Sequence, residues 1–147
     1  MAPILRVFAD TNILVSAFWF NGPQRRLVIA AVEERLTLML GQVVVRETQS
    51  VIKKKTPDRE DDLRAFLEAI PFETVPLPSK AMVLRHRKYV THDEDAPVLA
   101  SAVLADVDYV VSGDKKFSNR ATREMVELIS CSELLLRLPP KKKSQKT

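Results

Sequence analysis

The chain has 147 residues, 46% of them hydrophobic and 29% charged, which is enough for one domain with its own core and leaves no length for a second. No apolar run reaches the roughly 18 residues of a membrane span, and "MAPILRV" lacks the basic stretch and long apolar segment of a secretion signal, so a cytoplasmic protein with no membrane partner is expected. The net charge of +4 is carried by four lysines in the last seven residues, so the body is nearly neutral and any basic surface should be a local patch.

The first elements come from "ILRVFADTNILVSAF", a β-rich run followed by apolar positions at helical spacing. This predicts a strand, a turn at Asp10, and a helix that opens on the capping-type residue Thr11. "PQRRLVIAAVEER" places Pro at a helix start with Leu27, Val28, Ala31 and Val32 on one face, and "LTLML" follows as a strand. "QVVVRETQSVIKKK" carries Val44, Val45, Thr48, Val51 and Ile52 on one helical stripe, with Glu47 beside it. In "TPDREDDLRAFLEAI" a proline break and an acidic first turn precede Leu63, Phe66, Leu67 and Ile70 at helical spacing, and Asp58, Glu60, Asp61 and Asp62 read as a solvated turn that suits the helix dipole.

"PFETVPLP" is a short strand bounded by prolines, and Ser79 can cap the helix "SKAMVLRHRKY", on which His86 is expected at the surface. "HDEDAPVLASAVLADVDYVVSGDKKF" predicts a helix from near Asp95, a strand "DYVVS" and a Gly-Asp turn. Asp93 and His92 read as parts of the cap. "TREMVELIS" should contain a last strand, and Ser132 can cap a last helix over 134–138 before Pro139. Cys131 has no partner for a disulfide and reads as a semi-buried structural thiol. Residues 1–138 then form one domain, and "PPKKKSQKT" at 139–147 reads as a basic, disordered tail.

Alternating strands and helices predict a three-layer α/β/α domain with a mainly parallel central sheet, in which ligands collect beyond the C-terminal strand ends. Asp10 and Asp114 follow strands, Asp95 opens the helix before the second of those strands, and Glu47 can point to the same edge. Two negative charges about 5 Å apart repel by roughly 3 kcal/mol at an effective dielectric of about 20, so such a cluster implies a neutralising cation. With two histidines and one cysteine in the chain there is no zinc-type ligand set, whereas oxygen ligands suit Mg²⁺ or Mn²⁺.

"VFADTNILVSAF", Glu47 in "VVRETQSVIKK", "DEDAPVLASAVLADVDYVVSGDKKF" and "MVELISCSELL" together resemble the PIN domain family, in its VapC-like branch of toxin components of toxin–antitoxin pairs. The resemblance spans nearly everything except the tail. It implies a core similar to flap endonucleases and endoribonuclease activity with one or two Mg²⁺ or Mn²⁺ ions, which activate water and stabilise the departing 3′ oxygen. Asp10, Glu47, Asp95 and Asp114 match the acidic metal-binding positions, and Thr11, Asn12 and Ser112 match neighbouring polar ones that would position ligands or phosphate. Lys115 and Lys116 could meet the RNA backbone. Many members carry an acid where Lys116 stands, which leaves open a catalytically inactive PIN scaffold that binds RNA or a protein. The family also implies an antitoxin partner and a homodimer, for which Phe18, Trp19 and Phe20 are candidate contacts unless they pack in the core.

Other Asp-dependent α/β proteins fit less well. A haloacid-dehalogenase-like phosphotransferase would want a second Asp where Asn12 stands, and a receiver domain would want an acceptor Asp at the end of "FETVPLP".

Overall fold

The computed structural model describes residues 4–113 and 120–140. Five strands, β1 (Arg6–Ala9), β2 (Thr37–Gly41), β3 (Glu73–Val75), β4 (Tyr109–Val111) and β5 (Leu128–Ile129), form one sheet in the order β3-β2-β1-β4-β5. Every pairing is parallel, so the sheet expected to be mainly parallel is wholly so. Among the described residues eight α-helices connect and flank the strands: α1 (Thr11–Trp19), α2 (Pro23–Val32), α3 (Gln42–Lys55), α4 (Glu60–Ala69), α5 (Lys80–His86), α6 (Ala96–Ala105), α7 (Arg120–Met125) and α8 (Cys131–Arg137). Among the described residues no helix is long and apolar enough to cross a membrane. Asp114, Lys115 and Lys116, and the basic segment 141–147, lie outside the described residues.

Central strands buried on both faces need continuous apolar sequence, and "RVFA" and "TLMLG" supply it. Val7, Phe8, Leu38 and Leu40 are fully buried, with Leu14, Leu27, Leu99 and Leu134 packed on them from four different helices. Each such side chain contributes about 1.5–3 kcal/mol by leaving water. A smaller, separate core of Phe18, Ile52 and Leu63 ties α1, α3 and α4 together, with the Phe18 and Phe66 rings edge-on at 5.4 Å. The stripe expected on α3 is real, with Val44, Thr48 and Ile52 buried and the Thr48 hydroxyl donating to Val44 O at 2.8 Å.

Gly41 sits where β2 turns into α3, and a Cβ there would lie 3.2 Å from Ser101 Cβ of α6 and 3.4 Å from the Phe8 ring. A side chain would wedge α6 away from the sheet, so the glycine sets their spacing. α6 ends on Asp106 in the left-handed region at φ 51°, a conformation Asp tolerates better than most residues.

Several local expectations need correction. The α1 cap is Asp10, not Thr11: its carboxylate accepts the Ile13 N–H at 3.1 Å. The α8 cap is Ser130, not Ser132, and accepts the Glu133 N–H at 3.1 Å. The spacing Ser130-x-x-Glu133 is the capping-box pattern, so the signal was present. The last strand expected within "TREMVELIS" is present as Leu128 and Ile129, and the "TREM" before it is helical, as part of α7. His86 is buried, not on the surface; its Nδ1 bonds Met82 O at 2.7 Å and its ring tilts against Tyr89. Asp93 lies within a 3-10 turn over Asp93–Asp95 and makes no side-chain cap bond, and the cap position belongs to His92, also without one.

Candidate active site at the sheet's C-terminal edge

The connections after β1 and β2 step one way across the sheet, and the one after β3 returns past β1 to β4. The reversal lies between β1 and β4, and parallel α/β sheets open a crevice at such a switch point. Asp10 follows β1 and Ser112 follows β4, so both stand at its mouth. The Asp10 N–H continues the ladder to Val111 O at 3.2 Å, and the Ser112 hydroxyl donates to Asp10 Oδ2 at 2.5 Å. Asp10 is 3% exposed, with Oδ1 held by the α1 backbone and Oδ2 by Ser112, so its carboxylate is fixed in place.

α1 also brings Thr11 against α3, where the Thr11 hydroxyl donates to Glu47 Oε2 at 2.5 Å. This contact places Glu47, 36 residues away in sequence, beside the residue that follows Asp10. The carboxyl groups of Asp10 and Glu47 are thus each oriented by a neutral hydroxyl. Asn12 lies next to them, exposed.

Asp95 reaches the same edge by another route. The far end of α6 is pinned at the start of β1, where the Arg6 guanidinium donates to Ala105 O at 3.0 Å and to Asp106 O at 3.5 Å. A helix of ten residues is about 15 Å long, so the opposite end, at Asp95, lies toward the C-terminal ends of the strands. Asp95 is buried and occupies the α6 cap position without a side-chain cap bond.

Two separate hydrogen bonds therefore pair Ser112 with Asp10 and Thr11 with Glu47, and Asp95 lies toward the same end of the sheet without forming one group with the two carboxylates. Among the described residues no group of three or more His, Cys, Asp or Glu is arranged to hold a metal, and Asp114, which would extend the set, lies outside them. The chemistry of the donors fits a hard cation: carboxylate and hydroxyl oxygens line the edge. A carboxylate oxygen has two acceptor sites, so the bonds from Thr11 and Ser112 are compatible with metal binding and resemble the outer-shell bonds that orient ligands.

Sequence reasoning missed Gly41, which spaces α6 against the sheet at the start of the helix bearing Glu47; a glycine closing an apolar strand was the available signal. Among the candidate dimer contacts, Phe18 is in the small core, Trp19 is half-buried and Phe20 is exposed. Cys131 is buried, and burial raises its thiol from 9.0 to about 11 despite the opposing pull of Arg26.

Solved structures share this fold. VapBC2 from Rickettsia felis, in a crystal with a DNA fragment from its promoter, matches with a TM-score of 0.64 over 86% of this chain and 98% of that one, at 16% identity. A toxin–antitoxin complex from Klebsiella pneumoniae matches at 0.63 over 85% and 97%, at 17% identity. PAE2754 from Pyrobaculum aerophilum matches at 0.64 over 90% and 88%, at 16% identity. No curated protein matches the sequence. The PIN domain profile matches residues 6–116, a span that runs from β1 past β4 and takes in all four candidate acids: this chain belongs to the PIN domain family.

Proposed function

We propose that this PIN domain is a Mg²⁺- or Mn²⁺-dependent endoribonuclease and the toxin of a toxin–antitoxin pair. The observation that carries the reading is the pair of hydroxyl–carboxylate bonds, Ser112 to Asp10 and Thr11 to Glu47, at the switch point of the sheet. Buried or half-buried carboxylates are costly to orient, and two of them held by neutral donors at a ligand-binding edge suit a cation.

Asp10, Glu47, Asp95 and Asp114 would hold the metal, which when bound supplies an acidified water and positive charge for the departing 3′ oxygen. Ser112 and Thr11 keep their carboxylates in one rotamer, so little reordering is needed when the ion and the scissile phosphate arrive. Lys115 and Lys116 would contact the RNA backbone. Toxin–antitoxin complexes among the structural neighbours support an antitoxin partner, and co-purification with the product of an adjacent small open reading frame tests it. A homodimer is checked by sedimentation at micromolar concentration.

The decisive experiment compares purified wild type, Asp10→Asn and Asp114→Asn on single-stranded RNA with Mg²⁺ or Mn²⁺ and with EDTA. Asparagine at position 10 can still accept the Ile13 N–H, so the fold should persist while the anionic ligand is lost. Metal-dependent cleavage by wild type alone is the expected result. Equal cleavage by wild type and both variants overturns the assignment.

A further inference from the structure

α1 and α3 lie side by side and run the same way. Thr11 meets Glu47 at one end, and at the other the Trp19 indole N–H donates to Thr56 Oγ1 at 3.3 Å. Along α1, Asn12 and Ser16 share one face that leads outward from the candidate site, and Phe20 follows the helix as its extended C-cap. Along α3, Glu47, Val51 and Lys54 or Lys55 share such a face. Both faces end, about 12 Å from their start by helical rise, at a cluster of aromatics and lysines.

Phe20 is 62% exposed, a large apolar ring left in water, and it stands edge-on to Trp19 with centroids 6.3 Å apart. The Lys55 ammonium lies 5.8 Å over the Trp19 ring, and Lys53 and Lys54 beside it are exposed. None of the three lysines forms an ion pair among the described residues. Of the acids that follow them, Asp62 pairs with Arg59 and Asp61 with Arg64, while Asp58 and Glu60 are exposed and Glu60 lines one groove with Lys53. In a body that is nearly neutral, Lys54 and Lys55 beside the exposed Phe20 and half-buried Trp19 make a local basic platform, while Lys53 lines the groove between α3 and α4.

We propose that Trp19, Phe20, Lys54 and Lys55 form a subsite for single-stranded RNA, where one base stacks on the aromatic pair and the lysines meet the flanking phosphates. Aromatic rings with neighbouring cations are the common means of holding unpaired nucleotides without base specificity. The 12 Å from the acids corresponds to about two to four nucleotides, given a rise of about 3.4 Å per stacked nucleotide and more when extended. This subsite rests on the ribonuclease reading and deepens it: a substrate must be single-stranded beyond the scissile phosphate. A two-fold dimer through the same surface would bring the lysines of two copies together, which their charge opposes.

Trp19 is the only tryptophan, so its fluorescence reports on the platform alone. Wild-type protein in EDTA, titrated with oligouridylate and oligoadenylate hexamers, should show saturable quenching of that emission. Phe20→Ala should weaken binding by about 5- to 150-fold, the range expected for loss of base stacking. Phe20 is exposed, so this variant should keep the wild-type melting temperature. Lys54→Ala should lower the slope of log affinity against log salt by about one. If wild type cleaves RNA but saturating hexamer leaves Trp19 emission unchanged, and Phe20→Ala binds and cleaves normally, the subsite is overturned and the ribonuclease reading stands. Absence of cleavage and of binding under all metal conditions overturns both. Emission that follows protein concentration and ignores RNA makes the surface a self-association site and overturns the proposal.

Discussion

The two ends of the sheet are both closed by polar contacts between residues far apart in sequence, yet they use different chemistry. At the N-terminal end Arg6 donates to Ala105 O, Asp106 O and Glu73 Oε2, while its own N–H donates to Asp108 Oδ2. There the chain supplies its own cation, and the network ties β1 to the α6 terminus and the approach to β4. At the C-terminal end the Asp10 and Glu47 carboxylates are oriented by the hydroxyls of Ser112 and Thr11 and by the Ile13 amide, donors that fix direction without adding positive charge. A guanidinium among carbonyls and carboxylates makes a structural clasp. On the ribonuclease reading proposed above, carboxylates aimed by hydroxyl and amide donors would receive the cation.

The sharpest test of this difference is metal-linked stability. Mg²⁺ or Mn²⁺ that binds only the folded chain should stabilise it by about 2.7 kcal/mol at a hundredfold excess over the dissociation constant. Denaturant melts should show that gain in wild type and lose most of it in Asp10→Asn. An equal gain in both would remove the distinction between the two ends.

Next in size is the effect of the orienting hydroxyls. Ser112→Ala and Thr11→Val should each lower metal affinity or cleavage by about 10- to 100-fold, as outer-shell partners of metal ligands do. Metal titrations beside RNA cleavage rates measure both. Arg6→Ala should act in the opposite sense, costing about 1–2 kcal/mol of stability through its lost hydrogen bonds while leaving the metal response intact. A loss of metal response in Arg6→Ala at unchanged melting temperature would break the comparison.

An effect confined to alkaline pH concerns Cys131, whose Sγ donates to Pro23 O at 3.1 Å where α8 meets α2. Burial disfavours the thiolate, so the folded value of about 11 exceeds the unfolded value of 9.0. Its contribution is fully present below pH 9 and falls between pH 9 and 11, as the unfolded chain gives up the proton first. The melting temperature should decline across that window in wild type, and this part of the decline should vanish in Cys131→Ala.

The strand, turn and helix around Asp10 were legible because they depend on local patterns: an apolar strand, a carboxylate at its tip, and helical spacing immediately after. The sequence around Asp10 shows all three within a dozen residues. His86 was not legible in the same way. It stands among Arg85, Arg87 and Lys88, and its burial comes from the packing of α5 on α6, a tertiary fact with no local trace. α7 was missed for a related reason. Its fully buried residue is polar, Thr122, whose hydroxyl bonds Tyr89 O, so apolar periodicity could not mark its inner face.

Asp10 and Ser112 are separated by 102 residues, although they stand at the tips of neighbouring strands. During synthesis β1 is made early, but its partner in the crevice is among the later parts of the domain to appear. A nascent chain can form β1, α1, α2 and β2 and still lack one wall of the crevice. The strand order therefore imposes a delay: any chemistry that requires Ser112 against Asp10 begins only after β4 has left the ribosome and docked, when most of the chain has already been made.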